Sequence, residues 1–279
     1  MTSSSPAGRV SGPPGPAGPV QPADPAEPAR PAEPGVRAEP AGSDVAAPAP
    51  SAEGVPGSSA ETVPAPPAAA ADIFGPALPK AIEFASLLAT AGVERGLIGP
   101  REVPRLWERH LLNCAVVAEL VPDGAEVVDV GSGAGLPGIV LALLRPADPM
   151  TLLEPMLRRT TFLEECVERL ELPQVTIRRG RAEDLTGTIA ADVATSRAVA
   201  PLDRLIPWSV GVLRPGGTVL AIKGRDAEAE LKQAGPVLRR LGVRSADVVQ
   251  AGQGIVEPPA TVVRILTGET GHRRPRRKR

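Results

Sequence analysis

The chain has 279 residues, 23% of them charged, 42% hydrophobic and only 2% aromatic, and its formal net charge is −1. It has two cysteines, no metal-ligand spacing and no apolar run near the roughly 18 residues of a membrane-spanning helix. These features exclude a disulfide scaffold and a helical membrane protein, and the prolines follow no triplet glycine period, which excludes collagen.

Residues 1–70 hold half of the 34 prolines, and no aromatic residue precedes Phe74. Such a segment buries too little apolar surface to offset the entropy cost of ordering. It is predicted to be a disordered tail with polyproline II character. It lacks the charged head and apolar core of a signal peptide, and with thiols expected to stay reduced this points to the cytoplasm.

A helical extension is predicted over 71–122. AIEFASLLATAG, Ala81 to Gly92, is apolar at helical spacing. EVPRLWERHLLNCAVVAELV, Glu102 to Val121, is a longer amphipathic helix carrying Trp107, Leu111, Cys114 and Ala115 on one stripe, with Pro104 disturbing its first turn. Over 123–267 strands and helices then alternate. Strands are predicted at 125–130, 151–154, 175–180, within 191–198 and at 217–224. Helices are predicted from about Leu136 to Leu144, over 156–172, over 202–213, and as one stretch ending at Leu241. VRSADVVQ and ATVVRILT follow with no helix between them, so they should pair as an antiparallel hairpin with a long loop. The pattern implies an α/β fold with a seven-stranded, mostly parallel sheet. The last segment, 268–279, is a basic tail ending HRRPRRKR, where Arg273 and Arg274 are candidate phosphate contacts.

The chemistry is concentrated in VVDVGSGAGLPG, Val127 to Gly138. In open α/β sheets, ligands lie over the carboxyl ends of the strands, and Gly131, Gly133 and Gly135 sit at the end of the first one. Gly133, Gly135 and Gly138 also match the dinucleotide pattern, with Glu154 near the expected distance. Asp129 argues against that cofactor, because a carboxylate there repels a pyrophosphate. It suits the ammonium of S-adenosylmethionine, and Glu154 at the next strand end suits the two ribose hydroxyls. After the third strand, backbone groups at Ala182 and Glu183 are placed to read the adenine edge.

VDVGSGAGLPG, the Ser196-Arg197-Ala198 triplet, AIKG at Ala221 to Gly224 and WERHLLNC occur in one order that resembles the RsmG (GidB) family of bacterial small-subunit ribosomal RNA methyltransferases. The resemblance covers about residues 78–267. It implies a class I S-adenosylmethionine-dependent methyltransferase (Rossmann-like) and methylation of guanine N7 in the 530 loop of 16S rRNA. It also implies cofactor contacts at Gly131, Leu136, Ala182 and Glu183, with Arg197 lining the pocket. The family's W-N-x-x-x-N-L-T stretch is absent, GVERGLIG standing in its place, and its D-S after R-H-x-L is here Asn113-Cys114.

Guanine N7 carries an in-plane lone pair and attacks without first losing a proton, so no general base is expected. Arg197 is the candidate aligning residue, and Arg158, Arg159 and Lys223 are candidate RNA contacts. His110 is expected to be a hydrogen-bonded helix residue. The expected partner is 16S rRNA or the small ribosomal subunit, with no metal and no membrane, and the expected state is a monomer. A small-molecule methyltransferase on the same fold and a non-catalytic RNA-binding module are the alternatives.

Overall fold

A computed structural model describes Met1 and residues 63–269. The proline-rich stretch from 2 to 62 and the basic end with Arg273 and Arg274 lie outside the described residues.

Seven strands form one sheet: β1 (Val127–Val130), β2 (Met150–Glu154), β3 (Val175–Arg179), β4 (Ala191–Arg197), β5 (Leu213–Lys223), β6 (Ser245–Ala251) and β7 (Ala260–Leu266). Their order is β3-β2-β1-β4-β5-β7-β6. β1 to β5 are parallel, and β7 lies between β5 and β6, antiparallel to both. This is the expected mixed sheet with its C-terminal hairpin. The order reverses between β1 and β4, which opens a crevice at their carboxyl ends.

β1 is buried on both faces, as a central parallel strand must be. Val127 joins a core with Phe84, Leu106, Trp107, Ile139, Leu152 and Phe162. Val128 and Val130 join the opposite core with Leu205, Ile206, Val219 and Val263. The first core lies under α1 (Ala68–Phe74), α2 (Leu78–Leu87), α3 (Asn113–Ala115), α4 (Gly138–Leu144) and α5 (Leu157–Arg169). The second lies under α6 (Leu202–Gly211), α7 (Ala227–Gln233) and α8 (Gly235–Arg240). Side chains alternate between faces along a strand, so Asp129 shares the face of Val127 and α4.

Several local features differ from the periodicity reading, among them the stretch expected as one helix over Ala81 to Gly92, which passes from α2 into a π-helix at Leu88–Gly92. The single helix expected over 102–121 is a succession: a 3-10 helix Pro100–Arg105, a π-helix Leu106–Leu112, then α3, then a 3-10 helix Val116–Leu120. Pro104 supplies no backbone donor, so regular α-helical bonding cannot run through the first turns. The helix expected to run unbroken to Leu241 divides at Ala234 into α7 and α8, because Pro236 lacks a donor and restricts the residue before it. The helix after the glycine loop starts at Gly138, two residues later than expected, since the Gly138 N–H bonds to Asp129 Oδ2. Ordered packing also begins ahead of residue 71: α1 starts at Ala68, and Trp107 Nε1 donates to the Pro64 carbonyl at 2.8 Å.

Candidate active site

The loop after β1 turns on glycines that adopt left-handed backbone. Gly131 has φ 75° and Gly135 φ 88°. A Cβ on Gly131 would stand 2.9 Å from Val199, and one on Gly135 would stand 2.9 Å from Ile139 Cγ1. Neither site has room for a side chain. Gly133 (φ 57°) differs, since a Cβ there would meet only the Gly131 carbonyl, at 3.8 Å. Its backbone therefore faces space that a ligand can occupy. Leu136 is buried in the first core, 5% exposed.

Two carboxylates lie under this loop. Asp129 is wholly buried; its Oδ2 accepts the Gly138 N–H at 3.0 Å, and its Oδ1 is buried with no partner among the described residues. Burial pushes its pKa up to about 7, and the charge of Glu154 adds to the rise. Glu154 is 1% exposed. Its Oε2 accepts the Gly133 N–H at 3.0 Å and lies 3.5 Å from Arg159 Nη1, and its Oε1 accepts the Met156 N–H at 3.1 Å. Glu154 thus braces the loop from below. In the turn after β3, Ala182 is buried with its carbonyl accepting the Leu185 N–H at 3.2 Å, and Glu183 is exposed.

The orphaned Asp129 oxygen and the open side of Gly133 are the features that fit S-adenosylmethionine. An unpartnered buried acceptor beside a second carboxylate is unfavourable until a cationic donor reaches it. The ammonium of an amino acid portion is such a donor. A pyrophosphate would add a third negative group to the same place.

At the end of β4 a cleft of about 990 Å³ opens, lined by Arg105, Glu108, Arg109, His110, Arg197 and Lys223, among others. Arg197 ends β4, and Ala198 after it holds φ 53°, rare for a residue with a side chain. The Arg197 guanidinium is fixed twice: Nη1 donates to the Arg109 carbonyl at 3.0 Å, and Nη2 contacts His110 Nδ1. His110 Nε2 lies 2.8 Å from Glu102 Oε2, which also sits 3.3 Å from Arg109 Nε. Burial, joined by the Arg197 charge, depresses the His110 pKa to about 4. The ring is therefore neutral at physiological pH. With Arg197 donating to Nδ1, the one ring proton sits on Nε2 and is donated to Glu102.

The remaining candidates separate. Arg158 is exposed on the first turn of α5. Arg159 reaches back to Glu154. Lys223 lines the cleft, but its ammonium is a tether, donating to the Ala200 carbonyl at 2.8 Å and to Glu230 Oε2 at 2.7 Å. The same Glu230 oxygen accepts the Leu202 N–H at the start of α6. Sequence reasoning missed this clamp on the 198–201 loop. It also missed the Glu102–His110–Arg197 chain and two exposed arginines, Arg179 and Arg181, beside Glu154: Arg179 is its register partner, and the Gly180 N–H bonds to its carbonyl. The run Arg178-Arg179-Gly180-Arg181, which ends β3 beside a candidate ribose ligand, was the available signal for those arginines.

Residues 77–257 match the model of the family described as "GidB: rRNA small subunit methyltransferase G". A "Ribosomal RNA small subunit methyltransferase G" from Thermobifida fusca is 60% identical over 200 residues, covering 72% of this chain and 84% of that protein. The protein of the same name from Streptomyces coelicolor is 58% identical over 205 residues, covering 73% and 86%. Among solved structures there is a distant likeness to an O-methyltransferase from Thermotoga maritima, with TM-score 0.44 and 16% identity, covering 60% of this chain and 67% of that one. On the family match and the identity to these relatives, the chain belongs to the GidB family, the small-subunit rRNA methyltransferases G.

Proposed function

We propose that the protein methylates N7 of a guanine in the 530 loop of 16S rRNA, with S-adenosylmethionine as donor. The observation that carries this reading is the cleft at the end of β4, the strand next to β1, which presents a fixed guanidinium while its histidine is committed on both nitrogens.

S-adenosylmethionine supplies, when bound, an electrophilic methyl group on a sulfonium. Asp129 would favour the ammonium of the amino acid portion, directly or through water. Glu154 would hold the ribose hydroxyls. Backbone groups at Ala182 and Glu183 would border the adenine, and Gly131 and Gly133 would let the ligand approach the main chain.

The acceptor side needs alignment and no base. His110 is neutral, but its Nδ1 lone pair is directed at Arg197, so it has none to offer a substrate proton. Glu102 and Glu230 are held in ion pairs. Burial pushes the Cys114 thiol up to about 11, which removes it as a nucleophile. This inventory suits guanine N7, whose lone pair is ready in the ring plane. Two of the five Arg197 N–H groups are used inside the protein, which leaves donors for guanine O6. Bonding O6 positions the ring and leaves N7 clear. Holding acceptor and methyl in line is worth on the order of several kcal/mol of barrier. N7 faces the deep groove of paired RNA, so the target is a splayed loop base. Arg158 at the start of α5, with Arg179 and Arg181 around the end of β3, supplies phosphate contacts.

Mapping N7-methylguanine in 16S rRNA from cells with and without the gene tests this directly. The modification should disappear with the gene and return with the wild-type protein, but not with Arg197→Ala. An unchanged map in the deletion strain overturns the proposal.

A further inference from the structure

We propose that His110 is a positioning residue for the methyl transfer: held by Glu102, it presents a fixed lone pair that orients the Arg197 guanidinium toward the acceptor base. This rests on the function proposed above and adds to it a role for the N-terminal helical segment.

Geometry carries the assignment. His110 and Arg197 are 87 residues apart, one in the π-helical turn Leu106–Leu112 and the other at the end of β4. The His110 side chain is only 7% exposed although the residue borders the cleft, so it touches Arg197 from behind, not from the substrate side. A buried, partly polar ring needs partners on both nitrogens, and it has them. Glu102 fixes the tautomer by taking the Nε2 proton, in the way a carboxylate fixes a histidine that must offer its other nitrogen. The π-helical turn supplies the rest: in the same turn the Arg109 carbonyl accepts from Arg197 Nη1. One helical turn therefore contributes two adjacent acceptors to one guanidinium. An arginine side chain alone is free about several bonds, and pinning two of its nitrogens leaves its remaining donors with one direction.

The charged and titratable groups facing His110 are Glu102 and Arg109 from its own segment and Arg197 from β4. The two arginines and burial outweigh Glu102 and keep the ring neutral. Protonation would replace the lone pair with an N–H pointing at a guanidinium and would break the contact.

The experiment compares His110→Asn, His110→Gln and His110→Ala, each alone and with Arg197→Ala, at saturating S-adenosylmethionine on 16S rRNA particles. An Asn oxygen occupies the place of Nδ1 and keeps the acceptor for Arg197. A Gln amide occupies the place of Nε2, keeping the bond to Glu102 and losing the acceptor. Expected is a fall in kcat of about 30-fold or more for Ala and Gln and within about threefold of wild type for Asn, with cofactor Kd unchanged in all three. In the Arg197→Ala background the three substitutions should have no further effect on kcat, because the route through Arg197 is already gone. The wild-type rate should show no loss assignable to His110 between pH 6 and 8. Equal losses for Asn and Gln, or effects that multiply with Arg197→Ala, overturn the assignment. A wild-type protein that leaves guanine N7 unmethylated sinks the proposed function instead; the coupling is then read from the NMR shift of the Arg197 guanidinium protons. That shift should move in His110→Gln and stay in His110→Asn, and the reverse pattern overturns the positioning role.

Discussion

Asp129 has a raised pKa because the folded chain leaves it buried, half bonded and beside Glu154. A ligand ammonium at Oδ1 stabilises the ionised form, so binding must expel the proton that the free protein holds. Affinity for S-adenosylmethionine should therefore rise by up to about tenfold per pH unit below the folded pKa and level off near it. Calorimetry between pH 5.5 and 7, in buffers of differing ionisation enthalpy, should find net proton release on binding, and Asp129→Asn should bind more weakly and release none. A wild-type affinity that is flat over this range would remove Asp129 from the ammonium site. The acid was visible in the sequence because its position at a strand end before a glycine turn is a local pattern. Its orphaned oxygen was not, since that depends on α4 starting at Gly138 and sealing the other oxygen.

The elements that local spacing encodes emerged largely as read: β1 with its loop, β2 ending at Glu154, β4 ending at Arg197 and the C-terminal hairpin. The least legible was the segment from 100 to 120. Its apolar stripe specified burial, while the π-helical turn that aims His110 and the Arg109 carbonyl inward depends on contacts with a strand end 87 residues away. Lys223 shows the same limit. Its strand-end position suggested a free cation, but Glu230 on α7 claims it. The start of α5 and the end of β3 form the converse case, an edge where Arg158, Arg179 and Arg181 are exposed and none has an ion-pair partner among the described residues. Single-stranded RNA affinity loses about 0.7 of salt slope per phosphate contact removed. Arg158→Ser with Arg179→Ser should therefore flatten the logarithmic salt dependence by about 1.4 with cofactor affinity unchanged. An unaltered slope would place the RNA elsewhere. Deleting residues 272–279 in the same titration tests the basic end.

For the molecule as a whole, Asp129 and His110 bury opposite acid–base problems in one core, and their effects on folding run in opposite directions. The Asp129 carboxyl holds its proton up to about pH 7 when folded, against an ordinary aspartate value near 3.8. The folded state therefore binds more protons across that window, and this group's contribution to stability declines as pH rises from about 4 to 7. His110 is pushed the other way, from 6.5 down to about 4. There the unfolded state binds more protons, and stability is lost as pH falls from about 6.5 to 4. Across the shared range the two slopes oppose each other, so the native protein should show a shallower pH dependence than either group alone would give. Thermal unfolding from pH 4 to 8 separates them. Asp129→Asn should gain relative to wild type as pH rises toward 7, because the wild type alone must bury a charge. His110→Asn should gain relative to wild type as pH falls toward 4, because the wild type alone must exclude a proton. If both differences stay constant with pH, these groups ionise in the folded protein as they do in water, and the buried geometry assigned to them is wrong.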